Sequence, residues 1–100
     1  MIVVNAMIES SEADIAAMGP AIAAMERASR AEAGCVDYTF SVELGRPDVL
    51  RITERWDSLE ALQRHFGEPH MAEFQKAMAK HPPKSVNAHF YEATEIELKR

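Results

Sequence analysis

The stretch WDSLEALQRHFGEPHMAEFQKAMAK, residues 56–80, predicts two consecutive helices with one break between them. Apolar side chains recur every three or four residues on both sides of the break, which is the spacing of a buried helical stripe. Gly67 is typical of a helix end and Pro69 of a first helical turn. His65 and His70 flank the break. No other segment brings titratable and aromatic side chains so close together in sequence, and we therefore expect this break to line a functional pocket.

Four other segments have the composition of strands, either as continuous apolar runs or as alternating apolar and polar residues. They are residues 2–9, 35–43, 49–56 and 85–97. A turn at 45–48 joins the second and third segments into a hairpin. The region 11–34 predicts a helix that bends or begins near Pro20 and that Gly34 ends.

Two polar residues interrupt strand faces that are otherwise apolar. Asn5 lies in the middle of the first strand, and such an amide either ties the backbone or faces a ligand. Glu54 shares a face with Leu50, Ile52 and Trp56. For Glu54 we expect an arginine partner at a sheet edge, with a pocket carboxylate as the alternative.

The order strand, helix, strand, strand, helix, strand predicts an α+β fold of the ferredoxin-like β-α-β-β-α-β type, with an antiparallel sheet and the helices on one side. One hundred residues are sufficient for a single domain. The first strand is apolar on both faces, so the face without helices needs a cover. We expect a homodimer in which two sheets pack face to face.

Composition excludes several classes of partner. The net charge is −5, whereas nucleic acids and anionic membranes require a positive surface. No apolar run approaches the roughly 20 residues that span a bilayer, and the first residues lack the basic region of a signal peptide. Cys35 is the only cysteine and cannot form an internal disulfide. These features predict a cytoplasmic protein with no nucleic-acid or membrane partner.

Three segments resemble the antibiotic biosynthesis monooxygenase family, whose members are dimeric α+β barrels. They are AEAGCVDYTF at 31–40, ITERWDSLEALQRH at 52–65 and PHMAEFQ at 69–75. Glu54-Arg55-Trp56, followed by a capped helix and a histidine, carries most of this resemblance. With the first strand, the similar segments span nearly the whole chain, so residues 1–100 are interpreted as one domain of this type.

Within that family the chain is most similar to the small quinol monooxygenases, which oxidise quinols with dioxygen and use no metal or flavin. The resemblance implies a cofactor-independent monooxygenase that acts on a quinol or phenolic aromatic substrate. It places the pocket between the sheet and the helices of each subunit. Carried over by position, the residues that line it are Asn5, Tyr38, Trp56, His65, Phe66, His70 and Phe74.

Other members of the family leave alternative functions open. Haem-degrading members use an asparagine, a tryptophan and a histidine; Asn5 matches the first, but His65 and Gln75 stand where the other two belong, which argues against haem cleavage. An isomerase of phosphorylated autoinducer-2 has paired histidines at a similar position, and His65 and His70 fit that pattern. A phosphate site would require lysine or arginine, and no such pair is evident. A non-catalytic ligand-binding dimer is the third alternative.

The residues themselves suit a metal-free oxidation. An electron-rich phenolate can give dioxygen an electron directly, so the protein has to remove a proton and hold the anion in a dry pocket. His65 or His70 would be the base. Asn5 and the Trp56 indole would donate hydrogen bonds to the oxyanion. The flat apolar walls would come from Phe40, Phe66 and Phe74.

No metal site and no cofactor are predicted. The two histidines lack the HxxxH spacing with which a helix presents a pair of zinc ligands, and no cysteine cluster is present.

Overall fold

Four strands and four helices form the fold in the computed structural model, which describes residues 1–100. In chain order they are β1 (Ile2–Glu9), α1 (Glu12–Ala17), α2 (Gly19–Arg30), β2 (Cys35–Glu43), β3 (Arg46–Trp56), α3 (Leu59–Phe66), α4 (Pro69–Lys80) and β4 (Ser85–Glu92). The strands pair antiparallel in the order β2-β3-β1-β4. The predicted ferredoxin-like α+β topology is confirmed, with each of its two helical regions divided into two helices.

Capping side chains and prolines set where the helices begin. Ser11 and Ser58 cap α1 and α3, each accepting a hydrogen bond from a backbone N–H three residues further on, at 3.1 and 3.2 Å. Pro20 and Pro69 lie in the first turns of α2 and α4, where a missing N–H costs nothing. None of the helices has the length and apolar character required to cross a bilayer.

The sequence predicts that Gly34 ends the helical region, but α2 already ends at Arg30. Gly34 lies in the α2–β2 loop with φ of 86°, a left-handed backbone that favours glycine. A Cβ at this position would lie 2.6 Å from the Cβ of Ala61 and 2.6 Å from Oδ1 of Asp57. Glycine is therefore required because this loop passes directly against the start of α3.

The core lies between one face of the sheet and the helices. Alternate residues of β3, from Leu50 to Trp56, point into it and are all buried. Across the sheet, β1 contributes the side chains at even positions, and Val4 lies opposite Glu54. The helices close this core with Met18, Met25, Ala61, Leu62 and Phe74.

The other face of the sheet carries mostly polar side chains. Asn5 is exposed there between Thr53 of β3 and His89 of β4, while Val3 and Met7 are half-buried. Within one chain β1 is buried on one face only, because all the helices pack on a single side. We call this surface, made of the odd-numbered residues of β1 and their neighbours, the open face.

Two strand boundaries differ from the sequence prediction. β3 begins at Arg46 rather than at residue 49, so the hairpin turn is shorter than expected. β4 ends at Glu92 rather than at residue 97, because it pairs with β1 and Glu92 is already opposite Ile2. Beyond that point a single backbone hydrogen bond, from the Ala93 N–H to the Met1 carbonyl at 2.9 Å, continues the contact.

Candidate functional site

The two histidines at the helix break share one carboxylate. Nδ1 of His65 lies 2.6 Å and Nε2 of His70 lies 2.7 Å from the same oxygen, Oε2 of Glu32. With Glu32 ionised, both ring nitrogens donate hydrogen bonds to it, which fixes Nδ1–H on His65 and Nε2–H on His70. We call these three side chains the His–Glu–His cluster.

Local structure explains how the cluster is assembled. His65 lies in the last turn of α3 on the same stripe as Ala61 and Leu62, which are also buried. Gly67 ends that helix, and α4 begins at Pro69, so His70 returns beside His65 with ring centroids 5.9 Å apart. Glu32 comes from the α2–β2 loop, and its N–H is bonded to the Ser29 carbonyl at 3.1 Å.

His65 is completely buried, and aromatic rings hold its imidazole in place. Its ring centroid lies 4.7 Å from that of Trp56 and 5.4 Å from that of Tyr38. The second ring nitrogen, Nε2, has no hydrogen-bond partner within the protein. In the tautomer that Glu32 selects, Nε2 carries no hydrogen and its lone pair is buried.

Glu54 is a buried carboxylate on a central strand, so the expected arginine partner at a sheet edge is wrong. Its side chain is 7% exposed and accepts a hydrogen bond from Nε1 of Trp56 at 2.9 Å. Burial raises the pKa of the Glu54 carboxyl, and the Trp56 hydrogen bond and the nearby His65 offset this only in part. Burial also raises the pKa of the neighbouring Tyr38 phenol, which stays protonated at neutral pH.

A cavity of about 160 Å³ opens beside Glu54, between the core face of the sheet and α4. Its walls are almost entirely apolar, and the lining residues with polar groups are Glu54, Gln75 and Tyr38. The other lining residues are Val4, Ala6, Ile8, Met25, Ile52, Phe66, Met71, Phe74, Met78, Val86, Ala88 and Phe90. An apolar cavity that holds one carboxylate of raised pKa is a typical site for proton transfer.

The structure brings most of the predicted site residues together. Tyr38, Phe66 and Phe74 line the cavity. Phe40 packs against Phe74 with centroids 5.3 Å apart but lies outside the lining. The remaining aromatic, Trp56, is fully buried behind Glu54.

The histidines and Asn5 do not line that cavity. His65 lies behind Trp56 and Tyr38, and His70 faces a separate groove between α2 and α4. Asn5 lies on the open face, where it borders a shallow hollow of about 220 Å³ with His89 and Arg51. The pattern of alternation along β1 separates Asn5 from the cavity, because the buried Val4 occupies the cavity face.

Glu32 is the site residue that the sequence prediction missed. No periodicity marks it, since it lies in a connection between a helix and a strand. The one local signal is Gly34 two residues later, whose left-handed backbone places the loop against α3. Glu54 was identified as a polar residue on an apolar face, and its pocket alternative is the correct one.

The family model described as antibiotic biosynthesis monooxygenase matches residues 1–77 of this chain. The chain belongs to the antibiotic biosynthesis monooxygenase family. The resemblance seen in the sequence is thereby confirmed, and the ferredoxin-like fold is the one that the family's members share with this chain. No curated protein matches the sequence significantly.

Solved structures agree with membership of the antibiotic biosynthesis monooxygenase family. A presumed antibiotic biosynthesis monooxygenase from Deinococcus radiodurans is 26% identical, with a TM-score of 0.90 over 100% of this chain and 99% of that one. A presumed family enzyme from Nitrosomonas europaea is 14% identical, with a TM-score of 0.88 over 95% and 100%. Rv0793 of Mycobacterium tuberculosis is 23% identical, with a TM-score of 0.83 over 95% and 96%. The last two likenesses concern the fold alone.

Proposed function

We propose that this protein is a cofactor-independent monooxygenase that oxidises a small phenol or quinol with dioxygen. Membership of the antibiotic biosynthesis monooxygenase family supports the reaction class. The observation that carries the proposal is the apolar cavity beside Glu54, a buried carboxylate with a raised pKa. Glu54 can take a proton from a phenol bound there, and the apolar walls limit the contact of the resulting anion with water.

The cavity volume favours a single-ring substrate. A dry cavity of roughly 150 Å³ lined by apolar side chains accommodates benzene, and this cavity measures about 160 Å³. Pockets for drug-sized ligands begin at roughly 300 Å³. A hydroquinone or substituted phenol therefore fits, with its ring against Phe66 and Phe74 and its hydroxyl toward Glu54.

We assign the first proton transfer to Glu54, because it is the ionisable carboxylate that touches the cavity. The sequence hypothesis gave the role of base to His65 or His70, but neither histidine lines the cavity. The His65 imidazole lies behind Trp56, the indole that is bonded to Glu54, and it is connected through Glu32 to His70.

The oxidation balances without an external reductant. The phenolate transfers one electron to dioxygen, and the superoxide formed adds to a ring carbon that bears hydrogen, para to the oxygen in a simple phenol and ortho to it in a hydroquinone. The hydroperoxide then loses water, so that one oxygen atom stays on the ring as a quinone carbonyl and the other leaves as water. Phenol plus dioxygen thus gives quinone plus water, and hydroquinone plus dioxygen gives hydroxyquinone plus water.

This proposal is tested by measuring dioxygen consumption. The protein is first treated with a chelator and shown to have no flavin absorbance. With a single-ring hydroquinone or alkylphenol we expect turnover that Glu54→Gln lowers by about 100-fold or more, the scale of a lost general base. Glu73→Gln is the matched control, because that carboxylate is exposed on the outer side of α4. Absence of turnover with every phenol and quinol tried, or an unaffected Glu54→Gln variant, would overturn the proposal.

Neither alternative function gains support from the cavity. An isomerase of a phosphorylated diketone needs cationic side chains at the phosphate, and no lysine or arginine lines this cavity. A non-catalytic ligand-binding dimer would leave the buried carboxylate without a chemical role, although burying a carboxylate is costly.

A further inference from the structure

We propose that Glu32, His65 and His70 form a binding site for one divalent transition-metal ion such as Zn²⁺ or Co²⁺. This site goes beyond the oxidation proposed above and does not depend on it. Three potential ligand atoms, Nδ1 of His65, Nε2 of His70 and a carboxylate oxygen of Glu32, all lie within 4.8 Å of one another. No other part of the molecule groups three or more such side chains.

The donor set selects the class of ion. Two imidazole nitrogens and one carboxylate oxygen suit zinc, cobalt, nickel and ferrous iron, whereas calcium and magnesium prefer sites made of oxygen alone. Three protein ligands also leave at least one coordination position open, as in catalytic rather than structural zinc sites. The site would therefore hold the metal together with a water molecule or a small oxygen donor.

The present geometry is that of a hydrogen-bonded site that opens slightly on binding, when each imidazole moves its proton to the other ring nitrogen and the metal takes its place. The two nitrogens lie 2.6 and 2.7 Å from Oε2 of Glu32. Ligand atoms that each lie about 2.1 Å from one metal ion are roughly 3.0–3.4 Å apart at octahedral or tetrahedral angles. Glu32 comes from a loop and His70 from the first turn of a helix, so a shift of a few tenths of an ångström is available to both.

The surroundings support a preorganised but accessible site. His65 cannot rotate freely, because Trp56 and Tyr38 pack on its ring at 4.7 and 5.4 Å. The side chains of His70 and Glu32 retain 19% and 10% exposure, and His70 borders the groove of about 910 Å³ between α2 and α4. A hydrated cation can enter from this groove without passing through the apolar cavity.

Titration of the chelator-treated full-length protein with CoCl₂ tests the site directly. We expect one Co²⁺ per chain, with visible absorption bands that ZnCl₂ abolishes by displacement. Glu32→Gln and His70→Asn should each weaken binding by about 100-fold or more, since each removes a direct ligand. Near-ultraviolet circular dichroism of both variants checks that the fold is retained. If Glu32→Gln is unstable, His70→Asn still tests the site, because His70 is partly exposed and its substitution disturbs the core less.

His81→Asn is the matched control. Nδ1 of His81 lies 3.2 Å from Oδ1 of Asp14, which makes it a second histidine–carboxylate pair, but one with no third ligand. This variant should bind Co²⁺ as the unaltered protein does. Failure to bind Co²⁺ below millimolar concentrations, or binding that His70→Asn leaves intact, would overturn the proposal. Because no substrate is present, the result is independent of whether the protein oxidises phenols.

Discussion

Glu54 carries an ionisable carboxyl into the most apolar part of the molecule. A single side-chain hydrogen bond, from Trp56, offsets the lost hydration, and the pKa is raised in consequence. The neighbouring thiol of Cys35 responds in the same direction, since burial raises its pKa to about 11. Both pKa shifts have the same physical cause, because burial disfavours the charged carboxylate and the charged thiolate.

The raised pKa of Glu54 makes stability fall as pH rises. Between its ordinary pKa of 4.5 and the higher value in the folded protein, the native state binds more protons than the unfolded state. The difference in unfolding free energy between the unaltered protein and Glu54→Gln should therefore decrease with pH in this window, by at most about 1.4 kcal/mol per unit. Urea unfolding followed by Trp56 fluorescence from pH 4 to 8 measures it.

Glu97→Gln serves as the control for that titration, since Glu97 is exposed in the C-terminal segment. Its stability curve should run parallel to that of the unaltered protein. If the Glu54→Gln curve is also parallel, burial does not perturb Glu54 in the manner described.

At the scale of elements, the site depends on how closely the α2–β2 loop approaches α3. Glu32 and Gly34 belong to the same loop, and the backbone N–H of Asp57 donates to the Gly34 carbonyl at 2.9 Å. The position of Glu32 beside the histidines therefore depends on Gly34 fitting against Ala61 and Asp57.

We expect Gly34→Ala to destabilise the protein by about 2–4 kcal/mol, from the left-handed backbone and the collision of the new Cβ with α3. Gly45→Ala is the matched control, because nothing lies within 4 Å of its added Cβ. Thermal or urea unfolding of both variants gives the comparison. Equal stabilities would mean that the loop adapts to a side chain at 34 without cost.

At the scale of the whole molecule, the helices cover only part of the sheet. Side chains of β4 that point to the core face, such as Val86 and Phe90, remain about half exposed, as does Phe66 of α3. The open face carries polar residues in its centre, including Thr53 and Asn5. Association of two chains through the open face, predicted from the sequence, would thus bury a mixed polar and apolar surface.

We predict that the chain is a homodimer in solution and that Thr53→Glu dissociates it. Thr53 is exposed at the centre of the open face, so a dimer packed sheet to sheet would bring two carboxylates into a poorly hydrated interface. Light scattering during size-exclusion chromatography measures the mass. Ala23→Glu, on the exposed side of α2, is the control and should remain dimeric. A monomeric unaltered protein, or a dimer that tolerates Thr53→Glu, contradicts this arrangement.

The sequence alone determined the order of elements and most of their boundaries. The signals for these elements are local, since each depends on the conformational preferences of neighbouring residues. They include the cap at Ser58, the break between Gly67 and Pro69, and the alternation along β3. These signals specify the ferredoxin-like topology because few arrangements of such elements bury every apolar face.

Only the tertiary structure decided the composition of the site. Glu32 is 33 residues from His65 and 38 from His70 in the chain, and the nearby Gly34 does not by itself indicate that they meet. Glu54 lines the cavity because β3 is a central strand of the sheet. Asn5 lies on the open face because all the helices pack on the other side. Contacts between distant segments depend on strand order and packing, which local preferences do not encode.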